Sequence, residues 1–175
     1  GLVVTADDEL GERIGFISNS TGGVLGPQDS YLLVRGIKTL GLRMEQINRN
    51  VEAVIDMLQS HDSVQKVFHP SVKSHLNYDI HAAQAGGHTG VIAFEVKDTE
   101  AAKKVIHATQ YFTLAESLGA VESLISVPAL MTHASIPSDV RAKEGITDGL
   151  IRLSIGIEDT DDLVNDLKQA LNTLN

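Results

Sequence analysis

The stretch that organises this chain reads Thr113-Leu-Ala-Glu-Ser-Leu-Gly-Ala-Val-Glu-Ser-Leu-Ile-Ser-Val-Pro128. Its first half places the polar pair Glu116 and Ser117 close to Gly119, a residue type that allows backbone segments to approach each other. Its second half, residues 121–127, alternates apolar and polar side chains and therefore predicts a half-buried β-strand. Polar groups at strand ends are typical of small-molecule sites and of ordinary sheet edges alike, so the stretch alone leaves both interpretations open.

A second predicted strand, residues 150–155, carries Arg152 at its centre. Because side chains alternate along a strand, Leu150, Arg152 and Ser154 share one face, and three apolar residues share the other. The apolar face is expected to pack against helices, which leaves Arg152 pointing away from the core. On this pattern alone, Arg152 belongs to a solvated sheet face.

The beginning of the chain predicts a strand followed by two helices. Residues 2–5 have the composition of a buried strand, which is most stable with neighbours on both sides. Few segments here qualify as neighbours, so we expect this strand to belong to a larger sheet and the sequence to be the C-terminal part of a longer chain. Asp7 is a suitable N-cap for the first helix. The apolar spacing then predicts one long helix over residues 28–58, which Gly36 and Gly41 weaken by about 1 kcal/mol each.

The remaining segments predict strands separated by helices, which together indicate a small α+β sheet covered on one face. The predicted strands are residues 64–68 and 91–96, besides the two described above, and the predicted helices lie near residues 79–84, after Asp98, after Pro137 and over residues 160–174.

Composition excludes several classes of function. The chain has 175 residues and a formal net charge of −9, which argues against binding to nucleic acid because the phosphates would be repelled. No apolar run approaches 18 residues, so no transmembrane helix is expected. The absence of cysteine excludes disulfides and thiolate metal sites and fits a reducing, cytoplasmic location.

Three further features suggest chemistry but have ordinary interpretations. His69, His75, His81 and His88 fall within one stretch, yet no gap is the i, i+4 pair of a helical metal site, so a solvated polar loop is favoured. The glycine-rich residues 22–27 lack the lysine of a phosphate loop and predict a turn before a helix. Lys38 is expected to be a charge on a helix surface rather than a cofactor lysine.

An ordered set of motifs resembles the C-terminal domain of the Cys/Met-metabolism family of pyridoxal-phosphate enzymes. This family includes cystathionine γ-lyases, β-lyases and γ-synthases and methionine γ-lyases. The resemblance extends from Gly1 to the C-terminus. The motifs are Val34-Arg-Gly-Ile-Lys-Thr-Leu40, Glu116-Ser-Leu-Gly119, Glu122-Ser-Leu124, Pro128, Met131-Thr-His133 and Leu150-Ile-Arg-Leu-Ser154 with Gly156 and Glu158-Asp159.

The resemblance implies a fold and a set of substrate-binding residues. The fold would be a small, mostly antiparallel sheet covered by helices and preceded by a long interdomain helix, with residues 1–61 ending the cofactor domain and residues 62–175 forming the substrate-closing domain. Arg152 would hold the α-carboxylate of the substrate, and Ser117 would help orient the substrate. Glu116 would face the distal end of the substrate, and Asn19 would lie near a neighbouring subunit's site.

The same resemblance implies cleavage of the C–S bond of cystathionine, with a γ-lyase favoured and a β-lyase close behind. The alternatives are a cystathionine γ-synthase and a non-catalytic amino-acid-binding module. The Schiff-base lysine and the other groups that hold pyridoxal phosphate would precede Gly1, so this chain alone would contain no catalytic residue, bind no cofactor and be inactive. The intact enzyme would be a tetramer, built as a dimer of dimers, that binds an amino-acid substrate.

Overall fold

The computed structural model describes residues 2–174, which form seven α-helices, five β-strands and one short 3-10 helix. The helices are α1 (Asp8–Thr21), α2 (Pro27–Ile37), α3 (Leu40–Ser60), α4 (Tyr78–Gln84), α5 (Thr99–Ala108), α6 (Ser138–Lys143) and α7 (Thr160–Asn172). The strands are β1 (Lys66–Phe68), β2 (Val91–Glu95), β3 (Thr113–Leu114), β4 (Leu124–Ser126) and β5 (Leu150–Ser154), and the 3-10 helix is Pro128–Leu130.

The chain divides into two compact units, Gly1–Gly41 and Leu42–Asn175. This division falls earlier than the boundary at residues 61 and 62 that the resemblance implies. The physical reason is that the buried face of α3, which includes Val51, Val54 and Leu58, belongs to the hydrophobic core of the second unit. The implied boundary concerns the parts of an intact enzyme and stays a prediction.

In the second unit the five strands form one sheet in the order β1-β2-β5-β4-β3. All neighbours pair in antiparallel fashion except β3 and β4, which are parallel. The predicted α+β fold with a small, mostly antiparallel sheet is therefore confirmed. Strand β5 is central, and Arg152 on it lies between Ala93 of β2 and Ser126 of β4.

One face of this sheet forms the core with the helices. Ile92, Leu153 and Ile125 are register partners on three adjacent strands, and all three are fully buried. Each such side chain contributes about 1.5–3 kcal/mol when it is removed from water. Helices α3, α5 and α7 supply the opposing side chains of the same cluster, which include Val51, Val105 and Leu167. The prediction that the apolar face of β5 packs in the core is thus confirmed.

Strand β4 differs from its predicted half-buried pattern. Its three residues, Leu124, Ile125 and Ser126, are all buried. Leu124 and Ser126 share a face with their β5 partners Ser154 and Arg152. A loop crosses that face and binds Ser154, so the polar side of β4 is covered rather than solvated.

In the first unit, α1 begins and ends as the sequence predicts. The Asp7 side chain accepts a hydrogen bond of 2.8 Å from the backbone N–H of Leu10, and Gly22 ends the helix in the left-handed conformation. The strand predicted over residues 2–5 is wrong. These residues form no regular structure and are exposed, because the described part of the first unit contains no strand with which they could pair. Gly1 lies outside the described residues.

The single long helix predicted over residues 28–58 is also wrong, because the structure has two helices, α2 and α3, separated at Lys38 and Thr39. At this break the backbone N–H of Thr39 donates to the carbonyl of Gly36, three residues back, instead of continuing the four-residue pattern. The Thr39 hydroxyl donates to the same carbonyl. Gly36 and Gly41 flank the break, where their low helix propensity favours an interruption.

Candidate substrate-binding site

The loop of residues 115–123 connects β3 to β4 and carries Glu116 and Ser117. Both ends of the loop are fixed by the parallel pairing of these strands. At one end the backbone N–H of Thr113 donates to the carbonyl of Ser123 (3.0 Å), and at the other the N–H of Ala115 donates to the carbonyl of Ile125 (3.1 Å). We call these nine residues the substrate loop.

The centre of the substrate loop is bound to strand β5. The backbone N–H of Gly119 donates to the hydroxyl of Ser154 (3.0 Å), and the Nη2 of Arg152 donates to the carbonyl of Ser117 (3.4 Å). Gly119 has a φ of 78°, a left-handed conformation that suits glycine. The structure thus brings together Arg152 and Ser117, two of the four residues that the resemblance implies for substrate binding.

The Arg152 side chain is half-buried and has donors to spare. Its one hydrogen bond within residues 2–174 goes to the Ser117 carbonyl, and none of the ion pairs in that range involves it. A guanidinium carries five N–H donors in a planar fork, which matches the two oxygens of a carboxylate. The arrangement can therefore bind a carboxylate that approaches over the substrate loop.

The side chains of the other predicted site residues are less constrained. Glu116 and the Ser117 side chain are exposed to solvent, next to the Ser117 carbonyl that Arg152 contacts. Asn19 is exposed near the end of α1 in the first unit, where its backbone carbonyl accepts from Gly22. The roles of Arg152, Ser117, Glu116 and Asn19 in binding a substrate stay predictions.

Sequence reasoning missed the groups that hold the end of the substrate loop. The Glu158 carboxylate accepts hydrogen bonds from both the backbone N–H and the hydroxyl of Ser123, the latter at 2.8 Å. The Ser123 hydroxyl in turn accepts from the backbone N–H of Gly156 (2.8 Å). A Cβ added to Gly156 would lie 2.2 Å from the carbonyl oxygen of Val121, so only glycine allows this approach. A glycine directly after a predicted strand was the available signal.

The histidines form a cluster that is less solvated than predicted. His69 is only 1% exposed, so the expectation of a solvated loop is wrong at this position. Its Nδ1 accepts from the backbone N–H of Ser71 (3.2 Å), and its Nε2 therefore carries the proton and donates to the Thr89 carbonyl (3.1 Å). Burial is the main cause that lowers the pKa of His69 below 6.5, opposed by the bond to Thr89 and assisted by His88, His81 and His75.

His81 and His88 lie beside a cavity of about 1080 Å³ between α3 and the segment of residues 71–88. The Nε2 of His81 and the Nδ1 of His88 are 3.2 Å apart, and the rings stack with centroids separated by 5.5 Å. The Nε2 of His88 lies 3.7 Å from the Glu52 carboxylate. Within residues 2–174, no three His, Cys, Asp or Glu side chains are arranged to hold a metal ion.

The lysines of this chain do not fit a pyridoxal-phosphate site. A lysine that forms a Schiff base is activated by desolvation or by a neighbouring cation. Within residues 2–174 no lysine is buried, and Lys73 beside the large cavity is exposed to solvent. Lys38, which was expected to be a surface charge, is exposed at the break between α2 and α3. We therefore derive no chemical step through the cofactor from this chain.

No helix within the described residues has both the length and the apolar character needed to cross a membrane.

Comparison with known proteins gives consistent matches over nearly the whole chain. The chain is 54% identical over 174 residues to a cystathionine γ-lyase of Bacillus subtilis (strain 168). The aligned region is 99% of this chain and 46% of that protein. The chain is 52% identical over 171 residues to a cystathionine β-lyase of Lactococcus lactis subsp. cremoris (strain MG1363), covering 98% and 45%.

A solved structure agrees with these relatives. The crystal structure of cystathionine γ-lyase from Lactobacillus plantarum complexed with L-serine matches with a TM-score of 0.88 and 42% identity, over 97% of this chain and 44% of that one. The chain therefore spans about half the length of the relatives it matches. The family model for Cys/Met metabolism PLP-dependent enzymes matches residues 1–172. On these matches, the chain belongs to the Cys/Met metabolism family of PLP-dependent enzymes.

Proposed function

We propose that this chain is the C-terminal, substrate-binding part of a pyridoxal-phosphate-dependent lyase that cleaves the C–S bond of cystathionine. The observation that carries the proposal is the guanidinium of Arg152. It is half-buried at the centre of β5, contacts the Ser117 carbonyl, and has no acidic partner among residues 2–174. A half-buried cation with spare donors is suited to an anionic ligand.

The ligand group that fits Arg152 is the α-carboxylate of an amino acid. Two parallel N–H donors of a guanidinium can bind both oxygens of a planar carboxylate, which the single ammonium of lysine cannot do. A hydrogen bond to a charged group contributes about 1.5–3 kcal/mol. In our proposal the Ser117 hydroxyl, next to the carbonyl that Arg152 contacts, helps to orient the same substrate.

We propose that Glu116 binds the distal end of the substrate. Cystathionine carries a second ammonium group at its distal end, and methionine does not. An exposed carboxylate one residue before Ser117 would attract that ammonium and favour cystathionine. We favour γ-cleavage because glutamate at this position resembles the γ-lyases. A β-lyase is the close alternative, since relatives of both kinds are about equally similar to the chain.

When bound, pyridoxal phosphate supplies an electron sink for cleavage at the β- or γ-carbon of an amino acid. We propose that residues outside this chain hold it and that this chain alone is inactive. The test is to incubate the chain with pyridoxal phosphate, reduce with borohydride, and locate modified lysines by mass spectrometry. We expect no stoichiometric label. A full label on one lysine, for example Lys73 beside the large cavity, would contradict this part of the proposal.

The proposal also covers the organisation of the intact protein. Residues 1–61 would end the cofactor domain and residues 62–175 would close over the substrate, in a cytoplasmic tetramer in which Asn19 lies near a neighbouring subunit's site. The exposed apolar side chains of the first unit, such as Val4 and Phe16 at 91% and 72% exposure, support an association surface. In a sizing experiment we expect the isolated chain to self-associate; a strictly monomeric chain at high concentration would count against the proposal.

The decisive experiment assays the intact protein on L-cystathionine. Each cleavage consumes one water and releases ammonia: cleavage on the γ side yields cysteine and 2-oxobutanoate, whereas cleavage on the β side yields homocysteine and pyruvate. We expect the cysteine pair to dominate. A protein that forms cystathionine from an activated homoserine would be a γ-synthase. If the intact protein binds cystathionine in calorimetry but converts none of it, the chain belongs to a binding module and the lyase proposal is wrong.

A further inference from the structure

We propose that Glu158 is a positioning residue for the substrate loop. It acts through Ser123 to keep the Ser117 carbonyl in contact with the Arg152 guanidinium. The inference rests on the proposed function of Arg152 and extends it to a residue that does not itself touch substrate. Its basis is a continuous set of hydrogen bonds that runs from helix α3 through Glu158 to the end of the loop.

The first link joins Glu158 to the substrate loop. Both oxygens of its carboxylate accept from Ser123, one from the backbone N–H and the other from the hydroxyl. Ser123 is fully buried and is the last residue of the loop before β4. Charge-assisted bonds of this kind are about twice as strong as neutral ones, so the carboxylate fixes both the backbone and the side chain at this end.

The second link joins the same end of the loop to the strand that carries Arg152. The Ser123 hydroxyl accepts from the N–H of Gly156, and the N–H of Ile157 donates to the Val121 carbonyl (2.9 Å). Gly156 lies two positions after the end of β5, so a displacement of the loop here is transmitted to the strand. The Arg152 guanidinium meets the loop again at the Ser117 carbonyl.

The third link fixes the segment of Glu158 against helix α3. Asn50 is fully buried, and its Nδ2 donates to the backbone carbonyls of Gly156 and Glu158, each at 3.0 Å. Its Oδ1 accepts from the Thr160 hydroxyl (2.6 Å) and from Gln46 (3.0 Å). Since every donor and acceptor of the Asn50 amide is used, the backbone that presents Glu158 has little freedom to move.

The test compares Glu158→Gln with Glu122→Gln in the intact, cofactor-loaded protein. Glutamine at 158 keeps the size of the side chain, but its amide nitrogen cannot accept the hydrogen bond that the Ser123 hydroxyl donates to Glu158. Glu122 is an adjacent, exposed carboxylate of the same loop and serves as the matched control. We expect Glu158→Gln to raise KM for cystathionine roughly five- to twentyfold while kcat stays within about twofold, and Glu122→Gln to change neither.

A role in folding alone would give a different pattern. It would lower Tm and the active fraction, so kcat would fall while KM stayed constant, and this result would overturn the inference. Combining Glu158→Gln with Arg152→Lys separates the two further. We expect the KM of the double variant to rise by clearly less than the product of the single effects, because both changes disturb one contact. A full product would also overturn the inference.

Hydrogen exchange provides a readout that does not depend on turnover. In Glu158→Gln we expect faster exchange at Ser117–Ser123 with unchanged protection in α5 and α7. If the intact wild-type protein cleaves no cystathionine, the proposed function fails, yet the exchange result still decides whether Glu158 holds the loop. Unchanged exchange in the loop would overturn the positioning role whatever the enzyme does.

Discussion

The substrate loop with Arg152 and the cluster of His69, His81 and His88 are both polar sites in the second unit, and they use their polar groups in opposite ways. Both ring nitrogens of His69 are occupied by neighbouring groups of the protein, Ser71 and the Thr89 carbonyl. Arg152 uses one of its donors on a carbonyl 3.4 Å away. A site whose groups satisfy each other stabilises the fold, and a site with spare donors can bind a ligand.

The two regions also differ in how their glycines are used. At the substrate loop, Gly156 lies against backbone atoms of Val121 and Glu122. Beside the histidines, Gly87 lies against the side chain of Asn48, with its nearest atom 3.0 Å from an added Cβ. A side chain can move and a paired backbone segment cannot, so the substrate loop depends on its glycine much more strongly.

The largest expected effect follows from this difference. Gly156→Ala should destabilise the second unit by about 3 kcal/mol or more, because its Cβ would meet the Val121 carbonyl at 2.2 Å. Gly87→Ala, the matched change beside the histidines, should cost less than about 1.5 kcal/mol. Urea unfolding followed by circular dichroism measures both. Equal shifts in the midpoint would contradict the contrast between the two regions.

The next effect concerns activity rather than stability. Arg152→Lys in the intact protein should lower kcat/KM on cystathionine roughly ten- to a hundredfold, because the paired donors are lost. This corresponds to a loss of about 1.5–3 kcal/mol of transition-state stabilisation. Arg152→Ala should lower it further. Both variants should change stability by less than about 0.5 kcal/mol, since the guanidinium has no acidic partner in residues 2–174.

The control for this prediction is Arg49→Lys, which alters an exposed arginine of α3 whose partner is Glu45 one helical turn away. It should change neither kcat/KM nor Tm, because exposed ion pairs contribute little. If both Arg152 variants kept full activity and melted much earlier, Arg152 would be a structural residue and the proposed site would be wrong.

The sequence predicted the elements of the second unit well because their signals are local. The alternation around Arg152 gave its strand and its buried face, and the helix predicted after Asp98 is α5, with Asp98 as its N-cap, where it accepts from Ala101. The failures occurred where tertiary contacts decide. Strand β3 has only two residues, too few for any periodicity, and it exists because it pairs with β4.

The candidate site was predictable in part for the same reason. Arg152 and Ser117 belong to recognisable motifs, and in the structure the Arg152 guanidinium contacts the Ser117 carbonyl. The role of Glu158 was not predictable from local patterns, because it depends on Ser123, 35 positions earlier in the chain. Likewise, the buried ring of His69 is satisfied by a bond to the carbonyl of Thr89, 20 positions later in the chain, which no spacing rule reveals.

The smallest expected effect is a pH dependence of stability that originates in the histidine cluster. Burial lowers the pKa of His69 below its ordinary 6.5, and the nearby His88, His81 and His75 act in the same direction. As the pH falls through 6.5, His69 therefore takes up a proton in the unfolded chain, whereas it stays neutral in the folded protein. The free energy of unfolding should decrease with falling pH, by at most about 1.4 kcal/mol per pH unit from this residue.

This prediction is checked by urea unfolding between pH 7.5 and about 5.0 for the wild type and His69→Gln. Glutamine cannot take up a proton, so the variant should be less stable at pH 7.5 but should lose less stability on acidification. His107→Gln alters an exposed histidine of α5 outside the cluster and should keep the wild-type slope. An identical slope in wild type and His69→Gln would show that burial does not lower the pKa of His69.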